Sequence, residues 1–226
     1  MPLDAIVPFQ LHIGLSRDQE AGLFSDFNAN QKGLNTSHLA TIETRITPEA
    51  VELERHPERV FARNLATDSA SPWNGLVHMG GSKAGAKEAH VYRPVNFVAL
   101  EQGVKRILRK SQYMGEQGSD VQYGLIRNYW QAMAQVYAPA FADPREYLVL
   151  KNLGVSTFSQ LAATIIDRCL IAGTYEVEDM VAQLEASKDA VDWHRESADV
   201  AGMSGNRAVL KLAGRMAAAL PVPVSV

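Results

Sequence analysis

A single cysteine among 226 residues leaves no partner for an internal disulfide and cannot build a cysteine-rich metal site. Cys169 lies in the apolar run "IIDRCLIAG" and reads as a buried, reduced thiol packed as a small hydrophobe. Long apolar stretches are also missing. No run approaches the roughly 18 residues of a membrane span, and the opening "MPLDAIVPF" lacks the basic region and apolar core of a secretory signal. The expectation is a cytoplasmic protein with no membrane partner. Charge of neither sign is in excess: 22 Lys and Arg against 25 Asp and Glu give a net charge of −3. That excludes a uniformly basic surface for nucleic acid but leaves room for local basic patches.

Histidine is sparse and scattered. His12, His38, His56, His78, His90 and His194 show no His-x-x-x-His or His-Glu-x-x-His spacing, so no metal site is expected. There is no Gly-x-Ser-x-Gly nucleophile elbow. The stretch "GGSKAGAKE" at 80–88 places Gly80 and Gly85 at phosphate-loop spacing, but Ala86 stands where the lysine is needed. It reads as the tip of a β-hairpin.

What the chain does contain is ordinary globular patterning, 46% apolar and 21% charged. "AIVPFQLHI" (5–13) is a short strand, and Pro8 marks it as an edge or a bulge. "LSRDQEAGLFSDFNANQ" follows as a helix capped by Ser16, with Asp18 and Glu20 in its first turn. Further helix starts occur at "TPEAVELER" and "HPERVFARNLATD", each with Pro at the first helical position. Leu76, Val77 and Met79 against Val91 and Tyr92 read as the two strands of the hairpin. After Pro94 the periodicity is helical. Val121, Leu125, Tyr129, Met133 and Val136 form one apolar stripe, widened by Ile126, Trp130 and Tyr137, and "NRAVLKLAGRMAAAL" buries Val209, Leu212, Met216 and Leu220. The fold class is therefore α+β, mainly α. A first part with the hairpin covers 1–93 and a helical part covers 94–226.

Three polar features carry functional expectations. The segment "FNANQKGLN" (27–35) concentrates Asn28, Asn30, Gln31, Lys32 and Asn35. Amides supply donors and acceptors and Lys32 a phosphate-seeking charge, although asparagines also cap and turn a chain between helices. Lys105, Arg106, Arg109 and Lys110 end one helix, and Arg207, Lys211 and Arg215 form an i, i+4, i+8 row on the last. Such clusters contact DNA phosphates or form solvated helix faces.

The order of "VPFQLHI" and "LSRDQEAGLFSDFNANQKGLNTS" resembles the DGQHR-domain family, which includes DndB-type proteins of DNA sulfur modification and is related more remotely to the ParB and sulfiredoxin-like fold. Leu15, Ser16, Glu20, Leu23, Phe24, Asn28, Asn30, Gln31, Lys32, Leu34 and Asn35 carry the likeness. "SPWNGLVHMGG", "VYRPVNFVALEQGV" and "DWHRESADVAGMSGNRAVLKLAGRM", with Trp193, Gly202, Gly205 and Asn206, extend it. The Asp-Gly-Gln-His-Arg string that names the family is absent from the 226 residues, so the resemblance implies the C-terminal part of a member. It implies a remnant of the ParB-like core and an accessory or regulatory role in DNA modification. DNA or other DNA-modification proteins would be its partners. Asn28, Asn30, Gln31, Lys32 and Asn35 would form part of a site for ATP or another nucleotide. A nucleotide hydrolase and a ligand-free interaction module are the competing expectations.

Overall fold

The computed structural model describes residues 13–20, 22–23, 48–79 and 92–221. The strand expected at 5–13, the amide segment 27–35, the "GGSKAGAKE" loop and His90 lie outside the described residues, apart from Ile13. Residues 17–20 are helical and Ser16 caps them as expected. The Gln19 N–H donates to Ser16 Oγ at 3.3 Å, and the Ser16 N–H donates back to Gln19 Oε1 at 2.9 Å, a reciprocal capping box.

Helices α1 (Glu49–Arg55) and α2 (Pro57–Thr67) follow, with His56 between them and Pro57 opening α2. Pro48 stands just before α1, one place earlier than expected. Strand β1 (Val77–His78) then pairs with β2 (Val95–Asn96) in parallel, Val77 opposite Val95. The expected hairpin is thus corrected in partner and direction. Tyr92 lies outside the ladder, and a parallel pair requires a crossover connection that returns the chain to the same end, which a hairpin turn cannot supply.

From β2 the chain enters α3 (Phe97–Lys110), then α4 (Ser119–Val136), the short α5 (Ala138–Ala142), α6 (Asn152–Ala172), α7 (Val177–Ser187) and α8 (Gly205–Ala218). Among the described residues the protein is mainly helical with one small two-stranded sheet, as its periodicity predicts. Val121 departs from the expected stripe: it is 47% exposed, because it sits in the first turn of α4, before that helix reaches the core. Leu125, Tyr129, Met133 and Val136 are buried as read, as are Val209, Leu212, Met216 and Leu220. Cys169 is free and fully buried, and burial raises its thiol pKa.

Helix α6 is the axis of the core. Val155, Phe158, Leu161, Ala162, Ile165, Ile166 and Cys169 bury several of its faces at once, the pattern of a helix surrounded by others. Helices α3 and α8 flank it, and both run parallel to it. At one end Ser111, just past α3, donates to Asp167 Oδ1, and the Gln112 N–H donates to Oδ2 at 3.0 Å. Arg168 donates to the Pro221 carbonyl, past the end of α8, at 2.6 Å.

Two glycines let these elements close. A Cβ on Gly103 of α3 would stand 2.7 Å from Ser159 Oγ and 3.2 Å from Val155 Cγ1 on α6. One on Gly154 would stand 2.2 and 2.3 Å from the carbonyl oxygens of Val149 and Leu148, so the turn before α6 folds back against the helix's own first turn. Backbone oxygens cannot rotate away as a serine hydroxyl can.

Helices α1, α2 and α3 are joined by ion pairs whose acids are buried: Arg63 with Glu52, Arg59 with Glu101 at 3.3 Å, and Lys105 with Glu58 at 3.0 Å. Burial pushes the Glu58 carboxyl up, but its backbone hydrogen bond and the Lys105 ammonium outweigh that and hold it below its ordinary value. A carboxylate lowered on folding stabilises the protein above its unfolded pKa, and that contribution is lost as pH falls through the folded value.

Gly154→Ala is expected to lower the urea midpoint by the equivalent of about 1–3 kcal/mol, as overpacking does. Gly214→Ala, on an exposed stretch of α8 with nothing within 4 Å, should raise it by roughly 0.5–1 kcal/mol through helix propensity. Lys105→Met should flatten the loss of stability on acidification below the ordinary carboxylate value of 4.5, read as the urea midpoint against pH.

Candidate anion-binding cleft

Because α3, α6 and α8 run parallel, their N-termini arrive at the same end of the molecule. There they line a cleft of about 790 Å³ together with Arg106, Lys151 and Ser156. Asn96 comes from the start of α3, Lys151, Asn152 and Leu153 from the start of α6, and Ser204, Gly205 and Asn206 from the start of α8. Each N-terminus carries the equivalent of about +0.5 charge and unpaired backbone donors.

The three ends are not equally satisfied. Asn96 Oδ1 accepts from the Ala99 N–H at 2.7 Å and caps α3. Neither Lys151, the cap residue of α6, nor Ser204, that of α8, makes a side-chain cap hydrogen bond. Lysine, the residue before α6, has no acceptor to offer. Gly205, the first residue of α8, takes φ +76°, a left-handed conformation suited to glycine.

Among the described residues that line the cleft none is acidic. Arg106 lines the cleft, and its Nη1 is buried without a hydrogen-bond partner among the described residues. Burial lowers the Arg106 pKa. Burial, then the neighbouring charge of Arg195, lowers that of Lys151. Lys151 Nζ also sits 4.4 Å from the centroid of the Tyr92 ring, with the Arg145 guanidinium 4.9 Å from the same ring. Cations of one sign, gathered at the positive ends of helices, disfavour one another until an anion joins them.

The sequence-predicted basic residues divide around this cleft. Arg106 lines it and also borders a basic depression with Gln102, Lys105, Arg109 and Lys110. Arg207 follows Asn206 directly on the other side, and Lys211 lies one turn further along α8. Arg109, Arg207 and Lys211 are exposed. Lys105 is occupied by Glu58, and Arg215 forks onto Asp199 at 2.8 and 3.3 Å. That fork, first, and the Asp192 N–H hold the Asp199 carboxyl below its ordinary value. Asn28, Asn30, Gln31, Lys32 and Asn35 lie outside the described residues.

Sequence reasoning missed Lys151, Asn152 and Ser204 as a group. The available signal was a helix start, "LKNLGVS", without Ser, Thr or Asp at its cap. Among the described residues, no group of three or more His, Cys, Asp or Glu side chains is arranged to hold a metal, and no helix is long and apolar enough to cross a membrane. No protein-family model, curated protein or solved structure matches the chain.

Inorganic phosphate, compared with chloride at equal ionic strength, is expected to raise the urea midpoint, by about 2.7 kcal/mol at 100 times its Kd. Lys151→Met should abolish that gain. Without phosphate the variant should match the parent within about 1 kcal/mol, because the lost cation–π contact is offset by relief at the helix end.

Proposed function

We propose that the protein is a DNA-modification-associated accessory protein that holds its nucleic acid by the phosphates, with the cleft at the starts of α3, α6 and α8 as the anchoring site. The observation that carries this reading is the convergence of three helix N-termini, Arg106 and Lys151 on a cleft with no carboxylate among its described lining residues. Phosphate is the group such a site is built to take, since backbone N–H groups and a guanidinium match its oxygens in charge and geometry.

Resemblance to the DGQHR-domain family supplies the DNA. Two of the segments that carry it meet in the cleft: "VYRPVNFVALEQGV" contributes Pro94 and Asn96, and "DWHRESADVAGMSGNRAVLKLAGRM" contributes Met203 to Asn206 and Val209. Arg109 on one side, and Arg207 and Lys211 on the other, extend the positive surface along a bound backbone. Lys105 and Arg215 serve the fold in this reading, because each already has a carboxylate partner.

Binding of a fluorescent DNA oligonucleotide should weaken steeply with salt. Arg207→Gln with Lys211→Gln should reduce the slope of log K against log salt by about 2, one released counterion for each charge removed. Arg106→Gln with Lys151→Met should weaken binding at least ~10-fold at one salt concentration, the loss of about 1.4 kcal/mol. Unchanged affinity and slope in all four positions would refute the reading.

A further inference from the structure

The cleft's charge exceeds what one internal phosphate of a strand requires. We infer that it is a site for a phosphomonoester at the end of a nucleotide, a deeper reading that rests on the proposed phosphate-binding role. An internal diester carries one negative charge and two free oxygens, and both neighbouring sugars must pass it. A monoester carries about −1.5 to −2 at neutral pH and presents three acceptor oxygens.

The cleft matches the second of these. Arg106 and Lys151 line it, and Arg195 is close enough to act on Lys151. The starts of α6 and α8 both reach it, and neither cap residue, Lys151 or Ser204, makes a side-chain cap hydrogen bond. Three free oxygens and a second negative charge meet two helix ends and a guanidinium from more sides than two oxygens flanked by sugars. Arg106, which lines the cleft, has its Nη1 buried and without a hydrogen-bond partner among the described residues.

The size and the rim name the rest of the ligand. About 790 Å³ is far more than a phosphate group fills and is within the range of small-molecule sites. Tyr92 is 37% exposed, and its ring is contacted by Lys151, the same residue that lines the phosphate end. An exposed aromatic ring beside a phosphate site is the element on which bases stack without regard to sequence. The ligand class is therefore a nucleotide bearing a terminal phosphate, either free or at a strand end.

The test compares a 5′-phosphorylated single-stranded 12-mer with the same 12-mer ending in a 5′-hydroxyl, with AMP and inorganic phosphate as competitors. At pH 7.5 the phosphorylated strand should bind at least ~10-fold more tightly. The difference should shrink as pH falls below the second phosphate pKa near 6 and the dianion is lost. Asn152→Pro should reduce the difference several-fold, because proline at the first position of α6 removes one N–H without breaking the helix. The Lys151 backbone, at φ −99° and ψ 168°, already has the extended conformation that precedes proline. Its urea midpoint should match the parent's. Tyr92→Leu should weaken AMP and leave inorganic phosphate unchanged. Displacement of the strand by AMP supports a free nucleotide as the source, and a retained difference without displacement supports a strand end. Equal affinity for the two strands, both salt-sensitive, would overturn this inference and leave the proposed DNA reading standing. No binding of either strand would overturn both.

Discussion

The packing of α3 and α8 alongside α6, all in one direction, is the constraint on which the rest depends. Side-by-side parallel helices place like dipole ends together, and nothing in the backbone relieves that at the N-terminal side. Contact along α6 sets the arrangement: Gly103 lets α3 approach Ser159 and Val155, and Gly154 lets the preceding turn fold back against α6 itself. Apolar burial on several faces of α6 holds it. The cleft is a consequence of this packing.

The protein treats its charges in two ways. On the α1–α2–α3 side, the acids Glu52, Glu58 and Glu101 are buried and each has a cation, so charge there fixes helices to one another. Among the described residues that line the cleft, Arg106 and Lys151 have no acid beside them, and burial depresses both. Stability alone would favour the first arrangement everywhere. A region that departs from it at some cost to the fold is where a ligand of opposite charge is expected to act.

Much of the fold was legible in the sequence because it is written in periodicity and caps. The stripe from Leu125 to Val136, the burial of the last helix and Ser16 as a cap follow from spacing and residue type. The parallel pairing of Val77 with Val95 did not, because strand direction depends on where the chain returns and two-residue strands carry almost no pattern. Of the site, Arg106, Arg207 and Lys211 stood out as basic clusters. Lys105 and Arg215 stood out equally, and only three-dimensional placement reveals that Glu58 and Asp199 occupy them. Lys151 and Ser204 were invisible for the opposite reason. Their significance lies in which helix ends meet, a property of packing that no local window contains.

The central claim is that the shared N-terminal end of α3, α6 and α8 binds a tetrahedral oxyanion. Tungstate mimics phosphate and is located directly by anomalous X-ray scattering from crystals grown or soaked with it. The account predicts a tungsten position within hydrogen-bonding reach of the first-turn N–H groups of α6 or α8 and beside Arg106 or Lys151. Tungsten found only along the exposed row of Arg207 and Lys211, with the cleft empty at saturating tungstate, would contradict it.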